Sequence, residues 1–139
     1  RRRLKPFYSV MSQAPAHAVV TRLHYHRQSK TLDLQFSDGQ QFSLPAELLR
    51  VFSPSAEVRG HGQATLVLHK KQVGIQSIVP VGHYAVKLVF DDGHYTGLYS
   101  WAYLRELAGQ QQQLWQQYLT QVKQANGSRD DQIAVKFIP

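Results

Sequence analysis

Two stretches of the sequence, FSDGQQFSL and farther along FDDGHYTGL, place an Asp-Gly turn between apolar residues. In the first stretch, a loop that pairs Phe36 with Gln40 and Leu34 with Phe42 leaves the apolar side chains on one face. A loop one residue shorter would move Phe42 to the polar face, so burial favours the longer one. The last loop position needs a positive φ, which Gly39 accepts without a Cβ clash. The pattern therefore predicts a β-hairpin.

The second stretch repeats the first with one extra residue, and a short helical pattern follows each hairpin, at residues 45–51 and 99–108. The same loop in the second hairpin predicts the pairs Phe90–His94, Leu88–Thr96 and Val86–Leu98. We expect the repeated turn residues to have a structural role. The corresponding positions are Phe36/Phe90, Asp38/Asp92, Gly39/Gly93, Leu44/Leu98, Leu49/Leu104 and Arg50/Arg105.

Apolar periodicity predicts the remaining elements. The first strand begins at Val19 and alternates between two faces, one with Val19, Thr21, Leu23 and Tyr25 and one with Arg22, His24 and His26. Further strands are predicted at residues 64–69, 75–80 and 84–90, and a C-terminal helix at residues 110–125. The helical segments carry a stripe of Leu104, Leu107, Leu114, Tyr118 and Val122.

These elements predict an α+β fold: a β-rich domain of two hairpin–short-helix units packed together, with a C-terminal helix beside them. We assign residues 17–108 to the domain and residues 109–125 to the helix. Residues 1–16 are expected to be a disordered extension, and residues 126–139 a flexible tail.

The charge of the chain is concentrated at its N-terminal end. The net charge is +7, but residues 1–10 hold four of the 16 basic residues and no acid, which leaves 12 basic against 9 acidic residues. We expect Met11 to be the native start and residues 1–10 to be an upstream or cloning-derived extension. The small remaining charge disfavours nucleic-acid binding. No apolar run is long enough for a membrane span, and the lack of cysteine fits a cytoplasmic location.

The sequence lacks the motifs of common enzyme classes. It has no G-x-S-x-G elbow, no G-x-x-x-x-G-K-[ST] phosphate loop and no G-x-G-x-x-G turn. The absence of cysteine excludes thiolate nucleophiles and cysteine-ligated zinc or iron–sulfur clusters within this chain. Catalysis is therefore not expected, and neither is a stoichiometric cofactor such as zinc or iron.

Histidines are the remaining candidates for chemistry. His94 follows the second Asp-Gly turn, where the roles of metal ligand, general base and edge-of-core residue all remain open. A general base needs an orienting acid, but turn aspartates such as Asp91 and Asp92 more often bond local backbone. His24 and His26 lie two residues apart on one predicted strand face. That spacing can hold a metal, yet two ligands make no structural zinc site, so a solvated polar face is favoured.

Aromatic residues crowd the start of the second predicted short helix. Tyr99, Trp101 and Tyr103 cannot all face inward at this spacing, so Tyr99 or Trp101 is expected to be partly exposed. With the flanking Arg50 and Arg105, these aromatics are typical of a protein-interaction surface. The alternative is a buried aromatic cluster in a thin domain.

Two long motifs resemble a known family. They are LPAELLRVFSPSAEVRGH at residues 44–61 and, after GHYAV, FDDGHYTGLYSWAYLREL at residues 90–107. In order and spacing they resemble the gamma-butyrobetaine hydroxylase-like N-terminal domain family, over roughly residues 17–108. The resemblance implies a domain of unknown function, found as small stand-alone bacterial proteins, fused to Mrp-type iron–sulfur carriers, or at the N terminus of the hydroxylase. The iron and 2-oxoglutarate chemistry of the hydroxylase belongs to a separate barrel without a counterpart in this sequence.

The resemblance also implies a position for a metal. In the hydroxylases this domain holds a structural zinc through three cysteines and one histidine; His94 matches the histidine, and Ser53, Ser55 and Val58 match the cysteines. Hydroxyl and isopropyl groups do not replace thiolates on zinc, so we expect His94 to be a remnant ligand position. A non-catalytic interaction module is thus favoured, with an iron–sulfur carrier or metalloenzyme as the implied partner. The alternative is a weak metal site that combines His94 with His83 or another histidine.

Overall fold

The computed structural model describes residues 18–54, 66–94 and 97–130 of the 139-residue chain. Its strands form two antiparallel three-stranded sheets, ordered β1-β2-β3 and β4-β5-β6, and a helix follows each sheet. The elements are β1 (Val20–His26), β2 (Thr31–Phe36), β3 (Gln41–Pro45), α1 (Ala46–Val51), β4 (Ile75–Val81), β5 (Ala85–Phe90), β6 (Gly97–Ser100), α2 (Trp101–Gly109) and α3 (Gln111–Gln124). The predicted α+β fold of two hairpin–helix units and a C-terminal helix is confirmed. The predicted disordered segment 1–16 lies outside the described residues.

The first hairpin has the register that the sequence predicts. Leu34 pairs with Phe42, and the amide of Phe36 donates to the carbonyl of Gln40 over 2.9 Å. Gly39 has a φ of +89°, and its amide closes the loop onto the carbonyl of Phe36. The hydrophobic pattern therefore selected the loop, because every other side chain of β2 is buried.

The second hairpin begins as predicted but then departs from the predicted register by one residue. The amide of Phe90 donates to the carbonyl of His94, yet Leu88 pairs with Gly97 instead of Thr96, and Val86 pairs with Tyr99 instead of Leu98. The extra residue of this copy lies between His94 and Gly97. The slip turns Leu98 out of the core and Tyr99 into it, because successive side chains of a strand point to opposite faces.

A bulge shifts the phase of the first strand. Val20 pairs with Phe36, but the next paired residue is Arg22, opposite Gln35. As a result, Val20 rather than Val19 packs on the core, and Val19 is 43% exposed. The alternation predicted from Val19 is therefore correct only beyond this bulge. The strand predicted at residues 64–69 is also wrong over residues 66–69, which have no strand structure.

Hydrogen bonds repeat between the two units. In the first unit, Ser37 donates its amide to the carbonyl of Val19 over 2.8 Å and accepts the amide of Val19 on its hydroxyl over 3.2 Å. In the second unit, Asp91 donates its amide to the carbonyl of Gly74 over 2.9 Å and accepts the amide of Gly74 on its carboxylate over 3.1 Å. The first strand of the second unit also has a register shift near its start. The predicted internal duplication therefore extends to matched strands, bulges and turns. The predicted correspondence of Leu44 with Leu98 is wrong, because the shifted register matches Leu44 with Tyr99 and Ser43 with Leu98.

Ion pairs join the two units reciprocally. Arg50 of α1 donates to Asp92 in the turn of the second hairpin over 2.8 Å. Arg105 of α2 donates to Asp38 in the turn of the first hairpin over 2.9 and 3.4 Å. Each helix thus fastens the turn of the opposite unit, and the two sheets share one core with the helices.

The C-terminal helix adds a second, smaller cluster of buried residues. Tyr118 and Val122 of α3 pack against Val51, and the hydroxyl of Tyr118 donates to the carbonyl of Val67 over 2.6 Å. Beyond the helix, Arg129 binds the nearly buried carboxylate of Glu47 with two hydrogen bonds of 2.9 Å. Residues 126–130, predicted as the beginning of a flexible tail, therefore return to the domain; residues 131–139 lie outside the described residues. Across the described ranges, no helix has the length and apolar character that crossing a membrane requires.

Candidate functional site

The outer face of the second sheet exposes two aliphatic side chains in its central row. Val79, Lys87 and Leu98 lie side by side across β4, β5 and β6, on the side that faces away from the core. Leu98 is 45% exposed and Val79 is 42% exposed. The half-buried Val81 and Val89 lie on the same side of the sheet. We call these five residues the apolar face.

Lys87 is the single charge of the apolar face and lies at its centre. Among the described residues, no acidic side chain forms an ion pair with Lys87. Next to the face, Tyr84 is 57% exposed in the β4–β5 turn. Trp101 is tied to that turn, since its amide donates to the carbonyl of Tyr84 and its ring N–H donates to the carbonyl of His83, over 2.9 and 2.8 Å. The half-buried Trp101 therefore lies at the border of the face.

The matching face of the first sheet is polar. Its central row is His24, Asp33 and Ser43, the counterparts of Val79, Lys87 and Leu98 in the duplicated register. Antiparallel sheets commonly carry polar residues on the side away from the core. The fold accepts polar side chains in this row, so the aliphatic residues of the second sheet are not needed to build the unit.

The polar row contains a hydrogen-bonded cluster at the base of an open groove of about 540 Å³. His26 Nε2 lies 2.7 Å from one oxygen of Asp33, and the hydroxyl of Ser43 donates to the other oxygen over 2.8 Å. The hydrogen bonds from His26 and Ser43 lower the pKa of Asp33. The ring of His24 lies 4.4 Å from that of His26, centroid to centroid. The predicted shared face of the two histidines is confirmed, and the sequence did not reveal the carboxylate that joins them.

The remnant ligand positions Ser53 and His94 come together. The Ser53 hydroxyl and His94 Nε2 are 3.0 Å apart, and Ser53 is almost fully buried. Ser53 also hydrogen-bonds to Tyr99, whose hydroxyl donates to the carbonyl of Leu49. Gly97 makes room for this network, since a Cβ there would lie 2.6 Å from the Tyr99 ring and 3.2 Å from the Ser53 hydroxyl.

These contacts bear on whether a zinc ion fits. Ser55 and Val58, the other two matched positions, lie outside the described residues. In the parts of the chain that the structure describes, no three His, Asp or Glu side chains are grouped as metal ligands. Ser53 offers a hydroxyl that is already hydrogen-bonded where the zinc site needs a thiolate. The residues present therefore do not fit a structural zinc at this place.

Asp92 occupies the centre of a small ion-pair network. It accepts hydrogen bonds from Lys70 over 2.6 Å, from Arg50 over 2.8 Å and from the amide of His94 over 3.0 Å. Burial acts to raise the pKa of Asp92, but these three donors together outweigh it and lower the pKa to about 2. Asp92 is thus a structural anion of the turn. The sequence predicts a structural role for Asp38 and Asp92 but not their cationic partners.

Arg50 and Arg105, which the sequence pattern placed at an interaction surface, instead form ion pairs within the domain. The Arg50 and Arg105 side chains are 12% and 14% exposed, respectively. Arg105 also lies over the ring of Phe36, with 4.9 Å between guanidinium carbon and ring centroid. Their assignment to an interaction surface is corrected here: both guanidinium groups are held by turn aspartates of the opposite unit.

The assignment of Tyr99 to an interaction surface is also wrong. It lies in β6 instead of a helix and is fully buried, where burial raises the pKa of its hydroxyl. Of the predicted surface aromatics, Trp101 keeps partial exposure, and Tyr103 donates its hydroxyl to the carbonyl of Phe52 over 2.6 Å. Sequence reasoning missed the apolar face, because the extra residue after His94 concealed that Leu98 points outward. The signal in the sequence was Val79 of β4, an apolar residue at a position that is exposed in the structure.

The fold and its surfaces define a class: a duplicated hairpin–helix α+β domain with one polar and one apolar outer sheet face. The chain belongs to the gamma-butyrobetaine hydroxylase-like, N-terminal family, whose model matches residues 23–105. That match confirms the resemblance found in the sequence motifs.

Solved structures support the same assignment. One structure determined by NMR in solution is 52% identical, covers 99% of this chain and 100% of its own, and has a TM-score of 0.75. A second NMR structure is 47% identical, covers 87% of this chain and 98% of its own, and has a TM-score of 0.73. A crystal structure of a DUF971-family protein of unknown function from Acidithiobacillus ferrooxidans ATCC 23270 is 37% identical. It covers 64% of this chain and 91% of its own, with a TM-score of 0.56. The comparison with curated proteins found no match.

Proposed function

We propose that this chain is a non-catalytic protein-interaction module that binds its partner through the apolar face. The observation that supports the proposal is the difference between the two sheets. The first unit carries His24, Asp33 and Ser43 in its outer row, whereas the second exposes Val79 and Leu98 at the matching places. Exposed aliphatic side chains on a small domain, here Val79 and Leu98 on either side of Lys87, suit a surface that another protein covers.

The side chains of the apolar face indicate which groups the partner must carry. Aliphatic side chains on the partner would bury Leu98 and Val79. A carboxylate on the partner would pair with Lys87, which has no acidic partner among the described residues. Tyr84 and Trp101 at the border supply the amphipathic aromatic contacts that are common at such surfaces. The family resemblance favours an iron–sulfur carrier or a metalloenzyme as the protein that carries these groups.

Affinity capture with matched variants tests the proposal. The wild-type chain, Leu98→Glu and Ser43→Glu are each used as bait in lysate of the source cells. Ser43 is the duplicate of Leu98, so its substitution adds the same charge at the same place of the other sheet. We expect a protein that the wild type and Ser43→Glu recover and that Leu98→Glu loses at least about 30-fold, the effect of a central interface residue.

Both variants must first show a melting temperature within a few degrees of wild type, which Leu98 permits because its side chain points away from the core. If Leu98→Glu then recovers the same proteins as Ser43→Glu, the apolar face is not the binding surface. Recovery of nucleic acid instead of protein would also contradict the proposal.

A further inference from the structure

The polar groove of the first sheet holds a histidine that a second layer of residues orients. His26 Nε2 is 2.7 Å from Asp33, and the other oxygen of Asp33 is held by Ser43 over 2.8 Å. Metal-binding histidines commonly donate one ring N–H to a carboxylate, which fixes the ring and makes its other nitrogen a better ligand. With Nε2 turned to Asp33, the free ligand atom of His26 is Nδ1.

A second imidazole lies beside the first. The ring centroids of His24 and His26 are 4.4 Å apart. Two imidazole nitrogens on one ion, each about 2.1 Å from it, are at most about 4.2 Å apart. The two rings are close enough to share an ion once each turns a nitrogen toward it, and both line an open groove with room for water.

We infer that His24 and His26 form a chelating site for a single divalent late transition-metal ion, Zn²⁺, Ni²⁺ or Cu²⁺. Imidazole nitrogen suits these ions. The described residues contain no group of three acidic or histidine ligands, so water would have to fill the remaining positions around the two imidazoles. Asp33 acts as a positioning residue and offsets the positive charge of Arg22, which lines the same groove. The inference does not depend on the apolar face.

The duplicated fold argues against a purely structural role for the two histidines. Their counterparts in the second sheet are Val79 and Val81, which occupy the same register positions without any imidazole. A strand at this place therefore folds without the pair. The site also differs from the remnant zinc position, which involves Ser53 and His94 on other elements.

Titration calorimetry of the untagged full-length chain with Zn²⁺ and Ni²⁺ tests the inference, with His24→Ala, His26→Ala, Asp33→Asn and His83→Ala as variants. We expect one ion per wild-type chain and at least about tenfold weaker binding in either of the first two variants. Asp33→Asn should lose about tenfold, the usual effect of removing a carboxylate behind a ligand histidine. His83→Ala, exposed in the β4–β5 turn, should bind like wild type.

The same titrations can contradict the inferred metal site. Absence of saturable binding at millimolar ion would overturn the inference, as would equal losses in His83→Ala and His24→Ala. A second readout is broadening of backbone NMR signals by Ni²⁺, which should be confined to residues around His24, His26 and Asp33. Broadening centred on another part of the chain would also reject the site.

Discussion

The lowered pKa of Asp92 makes the stability of the domain depend on pH. Three donors surround its carboxylate, two of them the cations Arg50 and Lys70, and they lower its pKa from 3.8 to about 2. Because the folded state binds this proton less tightly than the unfolded state, the carboxylate contributes its full stabilisation above about pH 4. The contribution is lost as the pH falls from about 4 to 2.

We therefore expect Asp92→Asn to lose about 2 kcal/mol of unfolding free energy at pH 6 and much less near pH 2. Urea unfolding of wild type and variant at both pH values measures the difference. A loss of the same size at pH 2 and pH 6 would contradict the assigned role of the ion pairs.

His94 is interpreted as a packing and hydrogen-bonding residue. Its Nε2 lies 3.0 Å from the buried Ser53 hydroxyl, so His94→Ala should lose about 1–2 kcal/mol of unfolding free energy. Ser53→Ala should lose a similar amount, and the double variant less than the sum. Urea unfolding measures the cycle. In the His24→Ala variant, which lacks the ion site inferred on the first sheet, a chelator should leave the melting temperature unchanged. A melting temperature that falls on chelation would indicate a bound ion that stabilises the fold.

At the scale of elements, the two Asp-Gly turns carry a backbone requirement. Gly39 and Gly93 have φ values of +89° and +91°, and a Cβ at either position would meet no atom within 4 Å. Replacement by alanine should therefore cost only backbone strain, about 1 kcal/mol in each hairpin, and Gly39→Asn should cost less, because asparagine tolerates positive φ better. Chemical denaturation of the three variants checks this, and unchanged stability in both alanine variants would contradict the loop geometry.

The two hairpins also show how far the sequence predicts the fold. In the first hairpin, alternation and a positive-φ glycine agree on one register, and Leu34 meets Phe42 as expected. In the second, the glycine predicts the turn, but the extra residue after His94 shifts the strand, and only burial of Tyr99 decides the new register. The local pattern is thus sufficient to predict the register where only one face of a strand is apolar. Where either Leu98 or Tyr99 could be buried, long-range packing decides the register.

Contacts between the units were beyond sequence reasoning for a similar reason. Arg50 and Arg105 looked like surface charges, because their aspartate partners lie in turns far away in the chain. The histidine pair was visible from its spacing, whereas Asp33 joined it only through strand pairing. Spacing within a strand is local information, but cross-strand and cross-unit partners depend on the assembled fold.

For the whole molecule, duplication provides an internal comparison. The two units share strands, bulges, turns and reciprocal ion pairs, and they differ mainly on the faces that point away from the core. The outer face of the first sheet carries the groove lined by His24 and His26, and the outer face of the second sheet carries the aliphatic residues around Lys87. The core rows are apolar in both units, so the chemical difference between the units lies in the outer rows.

Site-specific photocrosslinking tests most directly whether another protein covers the apolar face. A benzophenone amino acid is placed at position 98 in one variant and at the duplicate position 43 in another, and both are irradiated in the source cells. We expect a discrete protein adduct from position 98 and none from position 43. An adduct from position 43 alone, or no adduct from position 98, would contradict the claim.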